Sequence, residues 1–106
     1  MTDKRIVLST AGSEDEARKI ASYLVEHQLA ACVNIVPRIE SIYRWQGKVE
    51  SSQEWLLLVK TTAERFPAVL DAIRELHSYN LPECIALAIE DGSPEYLRWL
   101  ADSAKP

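Results

Sequence analysis

The stretch RIESIYRWQGKVESSQEWLLLVK, residues 38–60, restricts the fold more than any other part of the chain. It lacks the apolar spacing of a helix and contains a single turn signal, Gln46-Gly47, which favours a long β-hairpin. Alternate residues of a strand point to the same face, and one face of the first arm carries Ser41, Tyr43 and Trp45. The apolar run from Trp55 to Val59 marks the inner end of the hairpin.

A strand and a helix are expected before this hairpin. RIVLST, residues 5–10, is a β-branched and aliphatic run that predicts a strand. Ser13 and Glu16 then form the S-x-x-E pattern of a capping box, in which each side chain binds the backbone N–H of the other residue. Apolar residues follow at helical spacing, so we expect an amphipathic helix that ends near His27.

A second strand leads into the hairpin, and a second helix follows it. AACVNIV, residues 30–36, predicts the strand, and Pro37 must end or bend it because proline has no N–H to donate. After the hairpin, Thr61 and Glu64 form a second capping-box pattern. Apolar residues then line one helical face from Phe66 to His77, which predicts the second helix.

The last elements complete the fold prediction. PECIALAIEDG, residues 82–92, predicts a strand, and Ser93-Pro94 supplies an N-cap and an N1 proline for a final helix. The order is βαββαβ followed by a helix, which predicts an α+β protein with a ferredoxin-like split βαβ fold. The length of 106 residues fits a single domain over residues 1–106.

One face of the predicted sheet has no helix to cover it. Right-handed crossovers place both main helices on the same face. The runs Ile6–Leu8 and Trp55–Val59 are nevertheless apolar on both faces, and the final helix is too short to cover the second face alone. We therefore expect self-association, which the open sheet edges also favour because they are templates for pairing.

Charge and hydropathy argue against nucleic acids and membranes as partners. The 12 basic and 16 acidic residues are mixed along the chain, the net charge is -4, and no basic block is available to neutralise phosphates. No apolar run approaches the roughly 18 residues that span a bilayer. MTDKRIVLSTAG is soon followed by the acidic SEDE, which does not fit a secretory signal, so we expect a cytoplasmic location.

Signatures of catalysis are missing from the sequence. The three glycines are not clustered into a phosphate loop, and no serine lies in a G-x-S-x-G elbow. Neither an HExxH motif nor a paired-carboxylate motif is present. We therefore expect no catalytic residues and no enzyme activity.

Several short motifs occur in order along the chain, namely LAACVNI-P, S-Y-W-GK-E, K-T, H-Y--PE and YL-WL. Together they resemble the CutA family, the divalent-cation tolerance proteins, from about residue 5 to residue 100. The resemblance implies a ferredoxin-like fold assembled as a homotrimer, similar in architecture to PII signalling proteins. It also implies binding of copper and other divalent cations, and a part in the response to metal ions.

The resemblance also suggests where a metal ion binds. Copper sites of the family look like a cysteine in the first strand together with one or two histidines before Y--PE. In this chain Ser9 stands at the first-strand position and Leu76 precedes His77, so His77 is the member of that set that is present. Copper favours imidazole and thiolate ligands over a hydroxyl. We predict a divalent-metal site, with Cu²⁺ as the favoured ion, at His77 and Glu83.

Both residues have alternative roles. His77 lies at the end of the second helix, where the negative end of the helix dipole also stabilises a histidine. Glu83 is either a ligand or general base, or the partner of Lys60 or Arg44 in an ion pair.

A cleft between subunits is the predicted binding place. The residues expected to contribute to it, besides the two metal ligands, are Cys32, Tyr43, Trp45, Lys60, Tyr79 and Trp99. The aromatic residues alternatively pack in an interface, where Trp and Tyr are enriched. Cys32 and Cys84 are reactive thiols or small buried hydrophobes, and a bond between them within one chain is not expected because their strands form opposite edges of the sheet.

Two functions follow from these observations. The first is a trimer that binds divalent cations at the cleft between subunits. The alternative is a PII-like signalling trimer that binds a small metabolite or a partner protein. An anionic metabolite would require cationic groups at the cleft, and the obvious ones are Arg44, Lys48 and Lys60.

Overall fold

A computed structural model of the chain describes residues 2–106. Its elements in chain order are β1 (Lys4–Ala11), α1 (Glu14–Glu26), β2 (Cys32–Trp45), β3 (Lys48–Thr62), α2 (Phe66–Leu76), β4 (Ile85–Ala88) and α3 (Pro94–Ser103). The predicted βαββαβ order with a final helix is confirmed, and so is the α+β class.

The four strands form one antiparallel sheet in the order β2-β3-β1-β4. β1 is central, and Val7 lies opposite Val59 of β3 on one side and Ala86 of β4 on the other. β2 and β4 are the two edges. Cys32 begins β2 and Cys84 precedes β4, and both thiols are free, in agreement with the expectation that they form no bond within the chain.

β2 and β3 form the predicted long hairpin around a two-residue turn. The φ angles of Gln46 and Gly47 are 50° and 80°, the left-handed values that a type I′ turn requires at both positions. Trp45 pairs with Lys48 across the turn. β2 has 14 residues, which at roughly 3.3 Å per residue extend about 46 Å. The longest dimension of the molecule, 44 Å against 25 and 22 Å, matches this length.

β2 continues through Pro37 rather than ending there. The register with β3 shifts between Val36 and Ile39, and Arg38 inside this irregularity has a φ of 57°. The proline therefore lies in a β-bulge, where its missing N–H breaks no regular ladder bond. Of the two predicted outcomes, a bend is the one observed.

The core lies between the sheet and the helices α1 and α2. Every member of the following set is fully buried: Val7, Leu57 and Val59 from the sheet, Ile20 and Leu24 from α1, and Val69 and Ile73 from α2. Helix α1 begins as predicted, because the Ser13 side chain accepts a hydrogen bond from the Glu16 N–H over 3.1 Å. It ends at Glu26, with His27 as the C-cap.

The start of α2 differs from the prediction. Thr61 is not a capping residue but a fully buried member of β3, and its hydroxyl donates a hydrogen bond to the Leu29 carbonyl over 2.6 Å. The chain makes a turn after Thr62, whose Oγ1 accepts from the Arg65 N–H over 3.2 Å. The helix begins only at Phe66. The pairing of β3 with β1 keeps the first two residues of the predicted capping box, Thr61 and Thr62, in a strand.

The second face of the sheet is covered in part by α3. This helix starts at the predicted Ser93 N-cap and packs against β1 and β3, with Leu100 fully buried. β4 is shorter than expected, and Ile85 and Leu87 on its second face remain half exposed. Part of this apolar face is therefore open in the isolated chain. No helix within residues 2–106 is long and apolar enough to cross a bilayer.

Candidate functional site

A cleft of about 840 Å³ opens between the outer half of the hairpin and the loop that joins α2 to β4. β1 contributes Thr10 near its end, and the hairpin contributes Tyr43, Trp45 and Glu54. Residues 78–81 and Glu83 of the loop form the other wall. The cleft therefore combines residues that are far apart in sequence and that the antiparallel sheet brings together.

His77 lies directly behind this wall, and its side chain is 0% exposed. Its Nε2 donates a hydrogen bond to the Thr10 carbonyl over 2.6 Å, since a carbonyl oxygen accepts only. Its Nδ1 accepts from the Tyr79 N–H over 3.1 Å. These two partners assign the neutral imidazole with the proton on Nε2.

This geometry defines what metal binding at His77 would require. One ring nitrogen carries a proton and the lone pair of the other is occupied, so a metal ion would have to replace one of the two hydrogen bonds. Ser9 gives no help, because it is buried on the helix side of β1 with Val7 and Ala11 and does not line the cleft. The Ser9 hydroxyl has no hydrogen-bond partner within residues 2–106.

Glu16 fixes the loop from the other side. Its Oε1 accepts from the Ser78 N–H over 2.6 Å, and its Oε2 accepts from the Ser78 hydroxyl over 2.9 Å. The same Oε1 lies 3.4 Å from His77 Nδ1. Only the Ser13 half of the predicted capping box is therefore present, because the Glu16 carboxylate binds the loop after α2.

Tyr79 and Glu54 meet on the floor of the cleft. The Tyr79 hydroxyl donates to Glu54 Oε2 over 2.9 Å, and Glu54 is only 7% exposed. Burial raises the pKa of Tyr79, and the hydrogen bond to Glu54 raises it further. Gly12 makes this approach possible, because a Cβ at that position would lie 2.9 Å from the Tyr79 hydroxyl oxygen.

Glu83 faces the same cleft from the loop. Burial raises the pKa of its carboxyl group, and the charge of Glu54 raises it further. Neither of the alternative ion pairs, with Lys60 or with Arg44, is formed in the described chain. Lys60 donates instead to Asn34 Oδ1. Glu83 therefore has no cationic partner within residues 2–106.

The residues predicted for the site fall into two groups. Tyr43, Trp45, Tyr79 and Glu83 share the cleft, with His77 packed against the Tyr79 ring at a centroid distance of 4.5 Å.

The second group lies away from the cleft. Cys32 is opposite Lys60 in the β2–β3 register, and its Sγ lies 3.9 Å from the Tyr96 hydroxyl. The Tyr96 ring in turn packs on Trp99, with ring centroids 5.3 Å apart. Cys84 is half-buried against the core, and this burial raises the pKa of its thiol.

The charged side chains that line the cleft are all acidic. Three carboxylates line it, those of Glu40, Glu54 and Glu83, and the described lining includes no Lys, Arg or His. Over residues 2–106, however, no three side chains of His, Cys, Asp or Glu are grouped closely enough to hold a metal ion alone. The oxygens present suit a hard or borderline divalent cation, and further ligands would have to come from water or from a second subunit.

Glu54 and Thr10 belong to the cleft but were not among the predicted residues. A signal for Glu54 was available, because alternation in β3 puts it on the same face as Leu56 and Leu58. A charged residue in line with an apolar strand face is unusual enough to mark a site. Thr10 has no comparable signal, since its role depends on the approach of a loop about 67 residues later.

Comparison with known proteins gives the chain its family. A family model described as "CutA1 divalent ion tolerance protein" matches residues 5–103. The chain belongs to the CutA1 family. A CutA1 relative from Thermus thermophilus, a divalent-cation tolerance protein, is 54% identical over 100 residues, which are 94% of this chain and 97% of that protein. Protein CutA of Mus musculus is 45% identical over 91 residues, and this match spans 86% of this chain but 51% of the mouse protein.

Solved CutA1 structures share the fold throughout. The divalent cation tolerance protein (Cut A1) of Thermus thermophilus superposes with a TM-score of 0.94 at 53% identity, over 96% of this chain and 99% of that one. The protein from Archaeoglobus fulgidus, described as a periplasmic divalent cation tolerance protein, gives a TM-score of 0.93 at 41% identity, over 96% and 99% of the two chains. The βαββαβ arrangement with its long hairpin is thus the CutA1 fold.

Proposed function

We propose that this chain is a homotrimeric divalent-cation tolerance protein that binds divalent metal ions, copper above all, in the cleft where subunits meet. Its role is binding in the response to metal ions rather than catalysis. The observation that carries the proposal is the Glu83 carboxylate, which faces the cleft beside the buried Glu54 and has no cationic partner among the residues that the structure describes.

Cation binding follows from the electrostatics of these two carboxylates. Burial and the charge of Glu54 disfavour ionisation of Glu83, and a divalent cation between the two carboxylates would offset both effects. Carboxylate oxygens are ligands for divalent ions in general, and Cu²⁺ heads the usual order of affinity among first-row divalent metals. The names of the bacterial and archaeal relatives agree with this role.

In this proposal His77 supports the site in one of two ways. It remains a ligand candidate for copper, in which case Nδ1 releases the Tyr79 N–H. Otherwise it keeps its hydrogen bonds and holds the loop that carries Glu83.

The proposal of a homotrimer is supported by the uncovered face of the sheet. Ile85, Leu87, Tyr96 and Trp99 expose much of their apolar surface beside β4 and α3. β4 is also an open edge strand, and an edge with an apolar face is a template for pairing. A second copy that covers this face would bring new side chains toward the cleft.

The test is a calorimetric Cu²⁺ titration of the demetallated protein, with its oligomeric state measured by light scattering. We compare Glu83→Gln and His77→Gln with the control Glu90→Gln, an exposed carboxylate outside the cleft. Because His77 is buried, circular dichroism must first show that its variant is folded. Weaker binding in Glu83→Gln alone supports the carboxylate site, and weaker binding in a folded His77→Gln as well shows that His77 supports the site, as a ligand or through the loop. Unchanged copper affinity in Glu83→Gln contradicts the site, and a monomeric wild type contradicts the assembly.

We further propose a cytoplasmic location, which cell fractionation tests directly. The archaeal relative described as periplasmic is the reason to make that measurement. The alternative of a PII-like trimer that binds an anionic metabolite has weaker support, because Arg44, Lys48 and Lys60 do not line the described cleft. A thermal-shift screen in which a metabolite stabilises the protein and metal ions do not would favour the PII-like alternative instead.

A further inference from the structure

The cleft is far larger than a metal ion and is walled by aromatic rings. Tyr43, Trp45 and Tyr79 all line it, and each keeps a substantial part of its ring surface exposed. The faces of these rings carry no ligand atom for a metal ion. They are suited to an organic ligand whose apolar surface packs against them.

The charge of the cleft selects the sign of that ligand. Glu54 is nine-tenths buried, and no basic side chain in residues 2–106 forms an ion pair with it or with Glu83. The hydrogen bond from Tyr79 engages one oxygen of Glu54 but leaves its charge uncompensated. A buried carboxylate is costly unless it is paired, so this floor favours an incoming cation.

The two observations together specify a chemical class. Aromatic faces carry negative electrostatic potential and attract cations whose charge is spread over an alkylated ammonium group. Carboxylates on the floor supply the counter-charge, and the described lining contains no Lys or Arg that would oppose it. We propose that the cleft binds a small organic cation, an alkylammonium compound, with its charge toward Glu54 and Glu83 and its alkyl groups against Tyr43, Trp45 and Tyr79. This binding involves the same cleft as the proposed metal site but does not require a metal.

Choline is the probe for this inference, since its neutral isostere dimethylbutanol has carbon in place of nitrogen and nearly the same shape. Calorimetry on the demetallated wild type, at constant ionic strength with NaCl, measures both compounds. We expect choline to bind roughly tenfold more tightly or better, because the rings and carboxylates act on charge as well as on shape. Equal affinity for the two compounds, or no binding of choline, overturns the inference.

Matched variants locate the binding. Trp45 and Trp99 are 43% and 45% exposed, but only Trp45 lines the cleft, so Trp45→Leu should weaken choline binding severalfold and Trp99→Leu should not. Glu54→Gln should weaken it as well, whereas the exposed Glu90→Gln should leave it unchanged. Choline affinity that survives Trp45→Leu and Glu54→Gln contradicts the assignment to this cleft.

The same variants separate this inference from the metal proposal. Trp45 offers no metal ligand, so Trp45→Leu should weaken choline binding by a much larger factor than Cu²⁺ binding. If choline does not bind but copper binds normally, only the organic-cation site is contradicted. If copper does not bind but choline binds normally, only the metal site is contradicted.

Discussion

The Tyr79 hydroxyl donates a hydrogen bond of 2.9 Å to Glu54 Oε2 and so joins the loop after α2 to the middle of the hairpin. Tyr79→Phe should lower the free energy of unfolding by about 1–3 kcal/mol, because a nearly buried carboxylate loses its donor. Urea unfolding at one fixed protein concentration measures the change. The control is Tyr43→Phe, whose hydroxyl meets Ser52 at the exposed surface and should cost less than about 0.5 kcal/mol. Equal losses in the two variants would contradict a special role for the Tyr79 bond.

Gly12→Ala tests how closely Tyr79 is packed. The new Cβ would lie 2.9 Å from the Tyr79 hydroxyl oxygen, so the ring must move and the bond to Glu54 should lengthen or break. We expect Gly12→Ala to destabilise the wild type more than it destabilises Tyr79→Phe, which lacks that oxygen. A double-mutant cycle by urea unfolding gives the coupling. Additive effects would mean that residue 12 acts independently of the hydroxyl.

Glu16 should control the mobility of the loop. Glu16→Ala removes both acceptors of Ser78, and we expect faster amide hydrogen exchange at Ser78 and a loss of roughly 1 kcal/mol or more. The control is Glu14→Ala, which breaks an exposed ion pair with Arg18 on the same helix turn. Exposed pairs of this kind contribute little to stability. Similar rates of amide hydrogen exchange at Ser78 in the two variants would contradict the proposal that Glu16 fixes the loop.

The hairpin turn allows a stabilising and a destabilising change at neighbouring positions. Gly47→Ala should cost about 1–2 kcal/mol, because Gly47 has a φ of 80° and alanine is strained there. Gln46→Asn should raise the melting temperature, since asparagine tolerates the φ of 50° better than glutamine. Differential scanning calorimetry tests both variants. A melting temperature lowered by Gln46→Asn would argue that the tip is held by contacts other than the turn.

Removal of the Glu83 charge should stabilise the metal-free protein. Burial and Glu54 raise the pKa of Glu83 in the folded state, so at neutral pH its ionised form opposes folding. Glu83→Gln should therefore raise the melting temperature at pH 7. The difference should shrink as the pH falls through the folded-state pKa, where the wild type becomes protonated. In saturating Cu²⁺ the wild type should instead be the more stable form. A lower melting temperature of metal-free Glu83→Gln at pH 7 would contradict this account.

Local patterns predicted those elements whose signals come from neighbouring residues. The Ser13 and Ser93 caps, the Gln46-Gly47 turn and the bend at Pro37 were all found where the sequence indicated them. The Thr61 and Glu64 pattern has the same local form but fails, because pairing of Thr61 with Arg5 of β1 keeps it in a strand. A capping signal is worth about 1 kcal/mol and is easily outweighed by a buried strand register.

The candidate site was less accessible to sequence reasoning because its bonds join distant residues. His77 has the side chain of a ligand, yet the partner of its Nε2 is a carbonyl 67 residues earlier. Glu16 has the pattern of a cap, yet its carboxylate binds Ser78, 62 residues later. Residue type indicated which side chains matter, but only the fold decides which lone pairs and protons remain free.

The central position of β1 also sets an order of events during protein synthesis. β1 precedes β3 and β4 in the chain, yet these two strands are its neighbours in the sheet, and β4 pairs Ile85 with Leu8. A nascent chain can close the hairpin locally, whereas β1 gains its second neighbour only after residues 85–88 have been translated. Until then its Ile6 and Leu8 have only one neighbouring strand. One edge of this strand therefore stays open to chaperones or to wrong partners until β4 has been made.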